Sequence, residues 1–142
     1  MNYILDTNVV SELVEQDPDH NVLHWIDSVD PASLFLSVIT IGEIKKGIEK
    51  LPASKRKQVL ATWLEQDLLV RFMDHILPLD TPVLLTWGTL IAGLEKKGKP
   101  MPAIDSLLAA TAAELGYALV TRNTDDFEDS NIILLNPWLA PS

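Results

Sequence analysis

The chain contains no cysteine. A disulfide framework and a thiolate metal site are therefore both excluded, in keeping with a reducing, cytoplasmic setting. No apolar run approaches the roughly 20 residues needed to span a bilayer. The opening MNYILDTNVV lacks a basic stretch followed by an apolar one, so no signal peptide is expected. Positive charge is scarce as well. Lys and Arg number 11 against 20 Asp and Glu, a formal net charge of -9. This is the wrong sign for a protein that binds phosphates through basic residues alone. Two readings stay open: acidity keeps the protein soluble, or some carboxylates cluster around cations that then attract phosphate. No repeat, low-complexity run or Gly/Ser/Pro-rich linker divides the 142 residues. One domain spanning residues 1–142 is expected, long enough to bury a sizeable core without staples.

What the sequence does contain is an alternation of short apolar runs and longer helical patterns. Tyr3 to Leu5, Leu34 to Val38, Ile76 to Leu79, Ala118 to Thr121 and Ile132 to Leu135 read as strands. Between them, Thr7 to Val14 and Asn21 to Ser28 read as helix, broken around Asp17-Pro18. Ile39 to Lys50 is a further helix, and Ser54 caps one that runs to about Leu68. Asp80-Thr81-Pro82 opens a long helix that Gly98 closes, and Met101-Pro102-Ala103 opens another that ends at Gly116. Strands alternating with helices predict an α/β fold: a parallel sheet of about five strands, sandwiched between helices. In such folds ligands bind in the crevice beyond the carboxyl ends of the strands.

The acids converge on that edge. Asp6 directly follows the first strand, and Glu43 lies one turn into the helix after the second. Asp105 lies near the start of the helix opened by Pro102, and Asn123, Asp125 and Asp126 follow the fourth strand. Each has a plainer reading. Asp6 in Asp-Thr-Asn suits an N-cap, Glu43 a solvated helix position, and Asn-Thr-Asp-Asp an ordinary turn. Asp105 is harder to dismiss, because its helix continues Leu107, Leu108, Ala109, Ala110, Ala112, Ala113. A helix that is apolar nearly all round is a buried one, and a buried acid demands a partner. Clustered carboxylates repel unless cations intervene, and oxygen-only donors suit Mg²⁺ or Mn²⁺ rather than zinc. His20, His24 and His75 show no zinc-site pattern; His20 and His24, four apart and without a third ligand, read as surface residues.

Four segments, in order, resemble the motifs of the PIN-domain ribonucleases, specifically the VapC/FitB-like toxins of bacterial toxin–antitoxin pairs. They are Ile4-Leu5-Asp6-Thr7-Asn8-Val9-Val10-Ser11-Glu12, Ser37-Val38-Ile39-Thr40-Ile41-Gly42-Glu43-Ile44 with Gly47, Ile104-Asp105-Ser106-Leu107-Leu108-Ala109-Ala110-Thr111-Ala112, and Val120-Thr121-Arg122-Asn123-Thr124-Asp125-Asp126-Phe127 with the trailing Asn136-Pro137-Trp138. The resemblance covers essentially the whole chain. It implies a PIN-like domain and a metal-dependent endoribonuclease. Asp6, Glu43 and Asp105 would be the catalytic and metal-binding acids around Mg²⁺ or Mn²⁺. For the fourth acid, the neutral Asn123 occupies one version of the pattern and Asp126 is the other candidate. Asn8, Thr121 and Asn123 would be supporting polar groups. The resemblance also implies a homodimer, and an antitoxin whose short segment occludes the groove with an Arg paired to the acids.

The expected reaction is RNA phosphodiester hydrolysis, with the cation activating water and neutralising charge on the phosphate. Arg122, Lys45 and Lys46 are the candidate RNA contacts; lysines near a helix end equally serve the dipole, and Arg122 is equally placed to pair with an acid. Trp25, Trp63 and Trp87 lie on helical patterns that one small core does not obviously absorb, a second motive for a dimer. Competing functions fit less well. A haloacid-dehalogenase-like phosphatase wants an acid two residues beyond Asp6, where Asn8 stands. A receiver domain with Asp80 as phosphoacceptor wants a lysine after the last strand, where Asn136-Pro137-Trp138 stands. An inactive PIN-like binding module is the non-enzymatic alternative; the retained Asp6, Glu43 and Asp105 count against it.

Overall fold

The computed structural model describes residues 1–140. Five strands, β1 (Tyr3–Leu5), β2 (Leu34–Ser37), β3 (Ile76–Leu77), β4 (Ala118–Val120) and β5 (Leu134–Leu135), form one parallel sheet in the order β3-β2-β1-β4-β5. Seven α-helices connect them: α1 (Thr7–Glu12), α2 (His20–Ser28), α3 (Val38–Glu49), α4 (Lys55–Thr62), α5 (Leu69–Arg71), α6 (Thr81–Lys96) and α7 (Ala103–Leu115). All five expected strands are present, some a residue or two shorter. β2 ends where Ser37 caps α3, its side-chain oxygen accepting from Ile39 N–H.

Alternation along the short strands divides the core in two. Leu5, Leu34, Leu36 and Val120 pack against Val9, Val10, Ile44, Ile48, Leu64 and Leu68 from α1 to α5. Ile4 and Leu119 point the other way, onto Leu108, Ala109 and Ala112 of α7 and onto Phe127. Alternate side chains of a strand face opposite sides, so both faces are covered, as an all-parallel sheet requires. The alanines of α7 let this helix lie close to the strands, and α6 packs along it.

Two features depart from the sequence pattern. The helix from Ser54 does not stop at Leu68; a wide π-turn over Trp63–Leu68 carries it into α5. That turn places both Leu64 and Leu68 in the core. The Asn-Thr-Asp-Asp run opens a 3₁₀ segment, Thr124–Ser130, anchored by buried Phe127. The chain runs outward from β1 to β2 and β3, then returns to place β4 on the other side of β1. The direction of progression therefore reverses between β1 and β4. A topological switch of this kind opens a crevice at the carboxyl ends of the two strands.

Candidate active site

Asp6 stands in that crevice. Its backbone N–H continues the sheet by donating to Val120 O at 2.9 Å. Its side chain is 9% exposed and engaged on both oxygens. Oδ1 accepts from Thr7 N–H at 2.7 Å, capping α1, and Oδ2 accepts from the Thr121 hydroxyl at 2.8 Å. The capping reading of Asp6 is thus correct, and its second oxygen ties the end of β1 to the end of β4. Thr121, wholly buried at the end of β4, also accepts from Asn8 Nδ2 at 3.2 Å and Asn123 N–H at 3.1 Å. One hydroxyl offers one donor and two acceptor sites, so this one is fully used. Glu43 is half-buried on α3, and its Oε1 accepts from the Thr7 hydroxyl at 2.6 Å. The isoleucines around it point elsewhere: Ile44 and Ile48 enter the core and leave Glu43 to the crevice.

Asp105 corrects an expectation. It is half-buried rather than buried, in the first turn of α7, and it has no hydrogen-bond or ion-pair partner among the described residues. The apolar run that suggested burial begins in earnest one residue later, at Ser106. Ser106 accepts from Trp87 Nε1 at 2.9 Å and pins this first turn against α6. Asp126, in the 3₁₀ segment, is exposed.

The charges on these residues act on one another. Burial pushes the Asp6 carboxyl above its ordinary range, the Thr121 and Thr7 hydrogen bonds pull it back, and the negative charges of Glu43 and Asp126 push it further up. Burial likewise raises Asp105, reinforced by Asp6, Asp126 and Glu43. The charges of Asp6, Glu43, Asp105 and Asp126, from four segments, thus bear on one another. Asn123 supplies its backbone N–H to Thr121. Oxygen donors with surplus negative charge suit a hard divalent cation. Among the described residues no three acids close on a single ion.

Of the candidate cations, Lys45 is engaged with Glu49 at 3.0 Å. Lys46 is exposed in the last turn of α3, three residues from Glu43. Arg122 pairs with no acid among the described residues; its guanidinium lies over the Trp138 ring, 5.2 Å from the centroid. The sequence reading missed Thr7 and Trp138 as site-shaping residues. A hydroxyl directly after the strand-end acid was the available sign for Thr7. Trp138 was marked only as part of the trailing Asn136-Pro137-Trp138 segment. Asp80 caps α6 through Val83 N–H at 3.1 Å, beside the edge strand β3 and away from the β1–β4 switch, so it is no phosphoacceptor here. A groove of about 580 Å³ lined by Leu13, Val14, Leu60 and Trp63 contains none of the four acids.

A parallel α/β domain with four coupled acids at its switch point defines the class. A PIN domain model matches residues 3–131, and the chain belongs to this family. It is 37% identical to VapC ribonuclease Y4jK of Sinorhizobium fredii over 95% of this chain and 96% of that protein. It is 36% identical to toxin FitB of Neisseria gonorrhoeae over 95% and 97% of the two chains. Its fold superposes on a chain of FitAB bound to a DNA fragment with a TM-score of 0.92 at 34% identity, covering 99% of this chain and 98% of the other.

Proposed function

We propose that this protein is the endoribonuclease toxin of a toxin–antitoxin pair, hydrolysing RNA phosphodiester bonds. The observation that carries the reading is the coupled acid set at the β1–β4 switch, in a chain 37% identical along nearly its whole length to a VapC ribonuclease.

Asp6, Glu43, Asp105 and Asp126 would hold Mg²⁺ or Mn²⁺. When bound, such a cation supplies Lewis-acid charge that activates water and neutralises the phosphate as the bond breaks. The chain's own residues do the positioning. Thr121 and Thr7 N–H hold Asp6 in one orientation, and the Thr7 hydroxyl ties Glu43 to the same helix start. Each is a hydrogen bond to a charged acceptor, the stronger kind. Asp105 keeps both oxygens available.

A cognate antitoxin is proposed as partner because the structural neighbour is itself a FitAB complex. A homodimer is proposed on the exposed stripe Leu84, Leu85, Gly88 and Ala92 of α6, at helical spacing, rather than on the tryptophans. Trp25 and Trp63 pack on the core and Trp87 bonds Ser106, so the surplus expected from them is absorbed within one chain.

The test is incubation of the purified chain with total cellular RNA in Mg²⁺, Mn²⁺ or EDTA, followed by mapping of new RNA ends. Discrete cleavage that needs a divalent ion and is lost in Asp6→Asn is the expected result. No cleavage under any of these conditions would leave the binding-module reading.

A further inference from the structure

We propose that Trp138 is a positioning residue for Arg122, and that the guanidinium so held binds an RNA backbone phosphate at the rim of the acidic crevice. This deepens the ribonuclease reading and rests on it.

Arg122 immediately follows Thr121, the residue bonded to Asp6. Its main chain is tied on both sides. Its N–H donates to Asn8 Oδ1 at 3.3 Å, and its carbonyl accepts from Asn136 Nδ2 at 3.4 Å. The exposed side chain then lies over Trp138. The main chain of Trp138 is fixed as well: its backbone N–H donates to Asn136 Oδ1 at 2.9 Å and its backbone carbonyl accepts from Asn21 Nδ2 at 2.8 Å, while its side chain packs on the core. Asn136 therefore braces the arginine backbone and the platform beneath its side chain together.

An arginine that directly follows the residue bonded to Asp6 has an obvious alternative, which is to pair with an acid. Exposed ion pairs and exposed cation–π contacts are of similar strength, so the indole competes with the acids for the guanidinium, which lies over Trp138. Two consequences follow. The acids keep their charge for a cation, and the guanidinium keeps its forked N–H edge for a phosphate, the group that this planar fork matches. Lys45 is spent on Glu49, and a chain of net charge -9 repels RNA. A cation held beside the crevice offsets part of that repulsion for an approaching phosphate.

The experiment uses the full chain and a short fluorescein-labelled single-stranded RNA. Anisotropy is read across a salt series, with Ca²⁺ in place of Mg²⁺ to separate binding from cleavage. Arg122→Gln should weaken binding about tenfold and reduce the slope of log affinity against log salt by about 0.7, one phosphate contact. Trp138→Leu should weaken it about two- to fivefold, and Trp138→Phe should restore most of that. Trp138→Leu combined with Arg122→Gln should be no worse than Arg122→Gln alone. In cleavage assays the same variants should raise KM with little change in kcat.

Wild-type affinity and salt slope in a Trp138→Leu protein of normal melting temperature would overturn the proposal. Additive losses in the double variant would overturn it too, because Trp138 would then act independently of Arg122. Should Trp138→Leu unfold, Arg122→Lys takes its place: it keeps the charge, loses the planar stack, and should bind as Trp138→Leu was expected to. A wild-type chain that binds no RNA would instead remove the ribonuclease reading, and this inference with it.

Discussion

The hydroxyl of Thr121 donates to Asp6 Oδ2 at 2.8 Å, joining the ends of β4 and β1 across the point where the sheet reverses its order. The same oxygen accepts from Asn8 and from Asn123 N–H. Thr121→Val therefore strips three hydrogen bonds from a buried site while nearly keeping its shape. A buried polar group left unpaired costs about 1–3 kcal/mol. A loss of this size is expected in chemical denaturation, with most of it recovered in Thr121→Ser. Unchanged stability in Thr121→Val would show that water replaces the hydroxyl.

Asp126 and Asn123 are the two candidates for the fourth position of the site. Asp126 bears on both Asp6 and Asp105 through its charge, whereas Asn123 contributes a main-chain N–H. Asp126→Asn should slow cleavage about tenfold or more, the scale on which groups supporting a metal site act. Asn123→Ala should cost much less. The reverse ranking, in single-turnover cleavage at fixed Mg²⁺, would reassign the position.

Asp105 should show two opposite effects of one substitution. Without divalent ions, Asp105→Asn removes like-charge repulsion and should raise the melting temperature. A cation that binds only the folded state stabilises by about 2.7 kcal/mol at a hundredfold excess over Kd. The substitution should shrink this gain, because a ligand is lost. A lowered melting temperature with the Mg²⁺-induced rise intact would make Asp105 a helix-start residue and nothing more.

The pH dependence has a definite sign. Asp6 and Asp105 have folded-state pKa values raised above the ordinary 3.8, chiefly by burial. Such acids bind more protons folded than unfolded. Their contribution to stability therefore falls as pH rises from the unfolded value through the raised folded value, and stays unfavourable above it. Acidifying the metal-free protein through that window should relieve the penalty, and Asp105→Asn should flatten the relief. Denaturation midpoints across the acid range, compared between the two proteins, measure it.

The dimer proposal is tested at Leu85, which is 69% exposed on α6. Leu85→Lys should convert a dimer to a monomer in sedimentation at micromolar concentration without unfolding it, because the side chain contributes little to the core of one chain. A wild-type monomer at that concentration would end the proposal.

Much of this protein follows from local sequence. Ser54, Asp80 and Gly116 mark helix boundaries as their chemistry requires: Ser54 accepts from Lys57 N–H, Asp80 from Val83 N–H, and Gly116 takes the left-handed conformation with φ 69°. Apolar strands between helical patterns were enough for the parallel sheet, and acids following β1, β2 and β4 and opening α7 were enough to point to the crevice. Both signals depend on near neighbours in the chain, where propensity and periodicity operate. Tertiary structure decided what depends on distant ones. It left Asp105 half-exposed, and absorbed Trp25, Trp63 and Trp87 within one chain. It also set Arg122 on Trp138 instead of on an acid. That last choice lies between two interactions of similar strength, so no residue type settles it. It turns on where the segment after β5 is fastened, by Asn136 and by Asn21 of α2, 117 positions from Trp138 in the chain.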